Sequence, residues 1–249
     1  MIKLSVITVV YNNFNYIEDT VLNVLNVKGN HKDIEYIIID GGSTDGTVDI
    51  IKKYQDKITL WVSEPDKGIY DAMNKGIDLA KGEWLIFMNS GDSFYNSDQS
   101  FLNEILFNTQ GRQDYDIIYG NTLTKNEGKI ISIPLKKIHA NFFLLNTICH
   151  QSVFFNRKVF NTIGYYNLDY KIISDRDLLF RVANANGNFG HLDCIISVWD
   201  EEGFSKDNVS LFKEEEDLFK KQNFTKIKRN YILLNTRFVN LIKKILQKL

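Results

Sequence analysis

The sequence predicts an α/β protein with a mostly parallel sheet and helices on both faces, and three observations carry that prediction. Short β-branched runs alternate with segments of helical periodicity between Leu4 and Met88, the order that strand–helix–strand crossovers require. The strand-like runs are apolar throughout rather than alternating, as strands covered on both faces are. Polar and acidic residues follow each of the first four runs, where open α/β sheets collect ligands.

Leu4–Val10 is the first strand, broken by Asn12 and Asn13. Tyr16–Val27 follows as a helix, with Ile17, Val21, Val24 and Leu25 on one stripe. Glu35–Asp40 is a second strand that ends in a carboxylate. Gly41 to Gly46 form a turn, and Ser43 or Thr44 is placed to cap the helix Thr47–Tyr54. Ile58–Val62 is a third strand, Gly68–Ala80 a helix closed by Lys81-Gly82, and Glu83–Met88 a fourth strand. The second half is less regular. Strands are expected at Asp116–Tyr119, Lys129–Ile133, Ser152–Phe155 and Gly190–Val198, and a helix at Asp175–Ala185.

The chain has 249 residues, a net charge of −1, 44% hydrophobic and 24% charged residues, which excludes general disorder and a basic nucleic-acid binder. Cys149 and Cys194 provide neither a disulfide framework nor metal-ligand spacing. No stretch approaches the roughly 18 uninterrupted apolar residues of a membrane span, and there is no signal-cleavage pattern at Met1. A cytoplasmic protein is the expectation. A weak break near Gly111–Tyr115 divides one body, residues 1–225, into a nucleotide-type half (1–110) and a less regular second half (111–225).

The motifs narrow the nucleotide chemistry. A dinucleotide fold needs G-x-G-x-x-G after the first strand, and a phosphate-binding P-loop needs G-x-x-x-x-G-K-[ST]. Here the first loop reads Tyr11-Asn12-Asn13-Phe14-Asn15-Tyr16, without glycine, and no P-loop motif occurs. The segments Ser5–Asn12 (SVITVVYN), Ile38–Thr47 (IIDGGSTDGT), Ser63–Gly76 (SEPDKGIYDAMNKG) and Gly82–Asp92 (GEWLIFMNSGD) instead resemble, in order, the motifs of family 2 inverting glycosyltransferases with the GT-A fold, a Rossmann-like architecture. His150–Arg181 is similar to that family's acceptor-side motifs. Within the family the wording most resembles enzymes of bacterial colanic-acid, capsule and O-antigen synthesis.

The resemblance implies roles. Asp40 would accept hydrogen bonds from the base or ribose of a nucleotide-diphosphate sugar, a UDP-sugar first among them. The main chain of Thr8 to Tyr11 would frame the base, with the Tyr11 ring against it and Asn12 beside it. Asp66 would contact the nucleotide, with an Asx turn before Lys67-Gly68 as the competing reading. Asn74, one turn after Tyr70, would face the donor cleft. Asn89, Gly91 and Asp92 stand where relatives carry the metal motif D-x-D, so only Asp92 keeps a charge as ligand for Mg²⁺ or Mn²⁺. Asn89 would be a neutral oxygen ligand or a hydrogen-bond donor behind the ligands, and Gly91 would admit phosphate or ribose. His150, with Gln151, would line the acceptor side or touch the diphosphate. Asp175 would be the catalytic base, with Asp177 orienting Arg176 or Arg181. Trp199 to Ser205 resembles a loop that closes over donor phosphate. A nucleotide-sugar-binding protein without transferase activity is the competing reading, because the D-x-D motif is eroded.

Lys226 to Leu249 holds seven basic residues and no acid, with an apolar stripe through Ile227, Tyr231, Leu234, Phe238, Leu241 and Ile245. Such a basic amphipathic tail (226–249) suits the inner face of an anionic membrane, where a polyprenyl-diphosphate-linked saccharide acceptor would reside. Packing against the body or in a homodimer suits the same stripe.

Overall fold

The computed structural model describes residues 3–96, 101, 114–199 and 208–232. The first half is built as the sequence predicts. Strand β1 (Leu4–Val10) pairs in parallel with β2 (Ile34–Asp40) on one side and β4 (Trp84–Phe87) on the other, and β3 (Leu60–Ser63) extends the sheet beyond β2. Helices α1 (Phe14–Lys28), α2 (Thr47–Lys53) and α3 (Ile69–Leu79) make the crossovers. Because β1 sends the chain to β2 on one side and has β4 on the other, the crevice beyond its carboxyl end is the switch point at which such sheets bind ligands.

The acceptor half joins the same sheet through antiparallel ladders. β8 (Val153–Asn156) runs antiparallel to β4 and to β6 (Ile117–Thr124). β9 (Phe189–Trp199) pairs in parallel with β6 and antiparallel with the short β5 (Ser93–Phe94), while β7 (Ile130–Ile131) pairs with β6. Among the described residues the sheet has nine strands, in the order β3-β2-β1-β4-β8-β6-β9-β5 with β7 off the path. Helices α4 (Lys158–Thr162), α5 (Ser174–Asn184) and α6 (Val209–Asn223) complete the elements, with residues 226–232 helical after them. Among the described residues no helix is long and apolar enough to cross a membrane.

The two-residue period of each strand divides the core. Ile7, Val9, Ile37 and Ile39 face one layer, which holds Met73 and Ile77 of α3, Leu178 and Leu179 of α5 and Phe219 of α6. Leu4, Val6, Ile34, Tyr36 and Ile38 face the other, with Ile17, Val21 and Val24 of α1 and Ile51 of α2. Burying a Leu or Ile side chain stabilises by about 1.5–3 kcal/mol, so both layers hold the strand ends in register.

Local details differ from the sequence reading. β3 begins two residues later than expected, because Ile58 closes the turn after α2 with its N–H on the Tyr54 carbonyl. Neither Ser43 nor Thr44 caps α2, whose N-cap is Gly46. The Asp45 carboxylate takes the first-turn Thr47 N–H at 3.0 Å, and Ser43 Oγ accepts the Asn12 N–H at 2.7 Å.

Candidate active site

The carboxyl ends of β2, β1 and β4 lie side by side, and each contributes polar groups. Asp40, the last residue of β2, is fully buried. Its Oδ2 accepts the N–H groups of Gly42 and Ser43, both at 3.0 Å, and the Ser63 hydroxyl at 2.6 Å. Its Oδ1 is also buried and has no partner. The two oxygens therefore differ: one fixes the turn, and the other is a buried acceptor without a donor. A buried carboxylate oxygen without a donor is costly, so the site is built for a ligand that supplies one.

The first loop is clasped to this turn. Asn12, in the left-handed region at φ 45°, donates its N–H to Ser43 and accepts the Thr44 N–H at 2.9 Å. Its backbone N–H and its amide oxygen thereby hold two loops together. Tyr11 is exposed, and its ring lies against Gly41. A Cβ at Gly41 would run into the Asp66 carboxylate and would lie 3.3 Å from the Tyr11 ring, so this approach requires glycine. Asp66 closes an Asx turn through its Oδ1, which accepts the Gly68 N–H at 2.8 Å, and turns its Oδ2 toward Gly41. Thr8 is different. Its side chain is buried and donates to the Met88 carbonyl at 2.7 Å beside the Tyr36 hydroxyl, and the whole residue is buried in the β1–β2 ladder, so Thr8 does not take the framing role expected of it.

After β4 the chain reads Asn89-Ser90-Gly91-Asp92. Gly91 sits at φ 103° with open space where a side chain would be, and its N–H is held by Thr20 Oγ1 at 3.0 Å. Thr20 also donates to the Asp92 carbonyl, pinning this loop to α1. Asp92 and Asn89 are both buried, and Asn89 Oδ1 has no partner.

His150 and Gln151 join this loop to the acceptor half. The Gln151 amide donates to Asp92 Oδ1 at 3.3 Å. The Asn89 amide nitrogen lies 3.1 Å from His150 Nε2, and His150 Nδ1 lies 3.7 Å from Asp175 Oδ2. Asp175 Oδ1 in turn is 3.3 Å from the Tyr70 hydroxyl. Burial by itself disfavours the imidazolium of His150, but the hydrogen bond and charge of Asp175, with Asp92 behind it, outweigh burial and raise its pKa.

Asp175 stands in the first turn of α5, where the helix dipole favours negative charge. The segment leading into that turn is fixed by Glu215 of α6, whose buried carboxylate accepts the N–H groups of Lys171, Ile172 and Ile173. Arg176 locks the helix from below, on the Phe143 carbonyl and Glu216. Asp177 points elsewhere: it binds Arg181 Nε at 2.8 Å, and Arg181 holds the carbonyls of Ile163 and Tyr165. Burial raises the pKa of Asp177 more than Arg181 lowers it.

The structure thus gathers Asp40, Tyr11, Asp66, Asn89, Gly91, Asp92, His150 and Asp175 at one edge of the sheet. Asn74 does not join them. Both ends of its amide are spent on the Tyr166 main chain, each at 3.0 Å, so it fastens α3 to the loop after α4. Ser63, Thr20 and Glu215 were not singled out from sequence. Ser63 lies in a quoted motif, whereas Glu215 stands in a run of acids that reads as solvated surface. The closing loop expected at Trp199 to Ser205 and most of the basic tail lie outside the described residues, which include Trp199 and 226–232.

Comparison with known proteins decides the family. The model of "Glycosyl transferase family 2" matches residues 5–164, more than half of the chain. The chain belongs to glycosyl transferase family 2. A PGL/p-HBAD biosynthesis glycosyltransferase of Mycobacterium bovis is 34% identical over 161 residues, 60% of this chain and 58% of that protein. An uncharacterized glycosyltransferase of Mycobacterium tuberculosis is 32% identical over 184 residues, 72% of this chain and 68% of its own. A putative teichuronic acid biosynthesis glycosyltransferase of Bacillus subtilis is 41% identical over 93 residues, 36% of each chain. The match to the first of these spans less than two thirds of that relative's length. Staphylococcus aureus TarS, solved with UDP-GlcNAc, superimposes with a TM-score of 0.65 at 17% identity, covering 93% of this chain and 70% of TarS. A mannosyltransferase of Pyrobaculum calidifontis, solved with GDP-Man and Mn²⁺, gives 0.63 at 15% identity, covering 82% of this chain and 59% of its own. The family 2 domain has the GT-A fold that these neighbours share.

Proposed function

We propose that this family 2 domain transfers a sugar, with inversion, from a nucleotide-diphosphate sugar to a saccharide or lipid-linked saccharide acceptor in cell-surface polysaccharide synthesis. One observation carries the reading: an unpartnered buried acceptor on Asp40, an unpartnered buried oxygen on Asn89 with the Asp92 carboxylate nearby, and the Asp175 carboxylate all lie along one sheet edge. The relatives named for PGL/p-HBAD and teichuronic acid synthesis, and the nucleotide sugars in the two solved neighbours, support the substrate class.

Asp40 Oδ1 accepts a base N–H or ribose hydroxyl while the Tyr11 ring offers a stacking face. Asp175 takes the proton from the acceptor hydroxyl as its oxygen bonds to the anomeric carbon. The bond from that carbon to the diphosphate oxygen breaks with its electron pair, and the nucleotide diphosphate departs. A single displacement with one base inverts the anomeric centre. Asp175 serves better than Asp177, which Arg181 occupies.

Among the described residues no three His, Cys, Asp or Glu side chains converge as a metal cage. Asp92 and the unpartnered Asn89 oxygen are the residues that would hold Mg²⁺ or Mn²⁺, as one carboxylate and one neutral oxygen. Such an ion would supply charge neutralisation for the leaving diphosphate. The single carboxylate is the one feature that suits the alternative, a donor-binding protein without turnover. The decisive assay incubates the purified protein with UDP- and GDP-sugars and Mn²⁺. Slow donor hydrolysis that disappears in Asp92→Ala, and transfer that disappears in Asp175→Asn while donor binding persists, support the enzyme. Tight binding without turnover supports the alternative, and an active Asp175→Asn beside an inactive Asp177→Asn moves the base to Asp177. For the basic tail we propose docking on anionic membranes, and unchanged liposome sedimentation after truncation at Lys226 rejects it.

A further inference from the structure

We infer that a cationic pocket at the root of the tail holds the phosphate monoester headgroup of a membrane lipid; this rests on the tail docking proposed above and names the group that the docked surface recognises. Two helices build the pocket. α6 ends at Phe224, whose buried ring packs on Phe180 and Phe219. The chain turns there and restarts at Thr225 as the helix 226–232. The Thr225 hydroxyl accepts the Lys228 N–H at 3.3 Å, and its carbonyl accepts the Arg229 N–H at 2.9 Å. This corner leaves a cavity of about 320 Å³ against the end of the short helical turn Ala140–Leu144. Its wall carries Lys220 from α6, Lys226 and Arg229 from the second helix, and the apolar side chains of Leu144 and Leu145.

The charges on that wall are not matched from within. Lys220 pairs with Glu216 at 2.8 Å, but Arg176 shares the same carboxylate. Among the described residues Lys226 and Arg229 make no ion pair, and Asp217, which is exposed where it lines the cavity, pairs with neither. The sharper observation is Arg229 Nε, which is buried and has no hydrogen-bond partner among the described residues. A buried N–H of a cation is costly without an acceptor, so the pocket suits a ligand that brings an oxygen to it. Nε and the neighbouring Nη form a flat fork that fits two oxygens of one phosphate. A carboxylate also fits the fork, but two lysines beside it suit an anion with more charge, and a phosphate monoester carries about −1.5 to −2 at neutral pH. The apolar side chains choose among carriers of phosphate. Leu145 is exposed, as are Ile227 and Tyr231, one turn apart on the helix that bears Lys226 and Arg229. A polar metabolite would leave these side chains in water, whereas a lipid presents its phosphate directly above acyl chains that bury them.

Flotation of the full chain on phosphatidylcholine vesicles tests this. Phosphatidic acid or phosphatidylserine is added to equal zeta potential, so that charge is held fixed and the monoester alone differs. Wild type is expected to bind the phosphatidic acid vesicles about tenfold more tightly, as one added hydrogen bond between charged groups predicts. Arg229→Lys keeps the charge but loses the fork, so binding to phosphatidylserine stays within about twofold and the preference disappears. Lys228 lies over the Phe224 ring, outside the pocket, so Lys228→Ala weakens binding to both vesicles by the same factor, about fivefold. The wild-type comparison needs no variant to fold. Equal wild-type binding to the two vesicles, or a preference that survives in Arg229→Lys, overturns the inference and leaves tail docking standing. Binding to neither vesicle overturns the docking itself and the lipid assignment with it. Calorimetric binding of inorganic phosphate that Arg229→Lys abolishes, in a protein indifferent to phosphatidic acid, gives the pocket to a free anion and likewise overturns the lipid assignment.

Discussion

Replacing Asp40 by asparagine separates the two tasks of that carboxylate. Three donors converge on Oδ2, so the amide oxygen of Asp40→Asn must take that position to keep the turn. The amide nitrogen is then forced into the place of Oδ1, where it faces the nucleotide as a donor. A hydrogen bond to a charged group contributes about 1.5–3 kcal/mol, and its loss corresponds to roughly 10- to 150-fold weaker donor binding. The retained hydrogen bonds lose their charge assistance but not their geometry. Each neutral bond still contributes about 1 kcal/mol, so the variant should fold, with a melting temperature lower by only several degrees. Calorimetric titration with UDP and GDP, alongside thermal melting, provides both numbers. Unchanged nucleotide affinity in a folded Asp40→Asn protein would refute the claim that Oδ1 is the ligand acceptor. A collapse of melting temperature would refute the claim that the turn tolerates the swap.

Asn74→Ala removes both hydrogen bonds to Tyr166, so it should lower stability by about 1–3 kcal/mol, read by denaturant unfolding, while donor KM stays near wild type. Burial pushes the Cys149 thiol up to about 11, so alkylation by iodoacetamide at neutral pH should be slow at this position in the folded protein, as peptide mass spectrometry can follow. At Glu216 burial alone would raise the pKa, but hydrogen bonds and charge from Lys220 and Arg176 lower it below 4.5. A carboxylate lowered in the folded state stabilises above its unfolded pKa and loses that stabilisation as pH falls through the folded value. The stability gap between wild type and Glu216→Gln should therefore be present at neutral pH and narrow below pH 4.5, as urea unfolding at several pH values measures.

Much of the nucleotide half was legible in the sequence because its signals are local. An apolar run such as Leu4–Val10 can be buried only as a strand with both faces covered, and the stripe Ile17, Val21, Val24 suits only a helix lying on that sheet. The strand-end acids followed from the same logic, since a residue such as Asp40 at the carboxyl end of an apolar strand lies at the sheet edge. Tertiary structure decided which end of each side chain does what. Asn12 and Asn74 have the composition of ligand-binding amides, yet the Asn12 amide oxygen is taken by the Thr44 N–H and both ends of the Asn74 amide by the Tyr166 main chain. Asp175 and Asp177 are the same residue type in the same helical turn, and only the resemblance places the base on Asp175. The helix turns them 200° apart, which brings one toward His150 and the other toward Arg181. Glu215, about forty residues downstream in a surface-like run of acids, fixes the segment before α5 only because α6 folds back on it. Sequence determines which residues reach the edge of the sheet, because burial is a one-dimensional pattern. Pairing is a long-range choice among many donors and acceptors, and it exists only once the strands have been brought together.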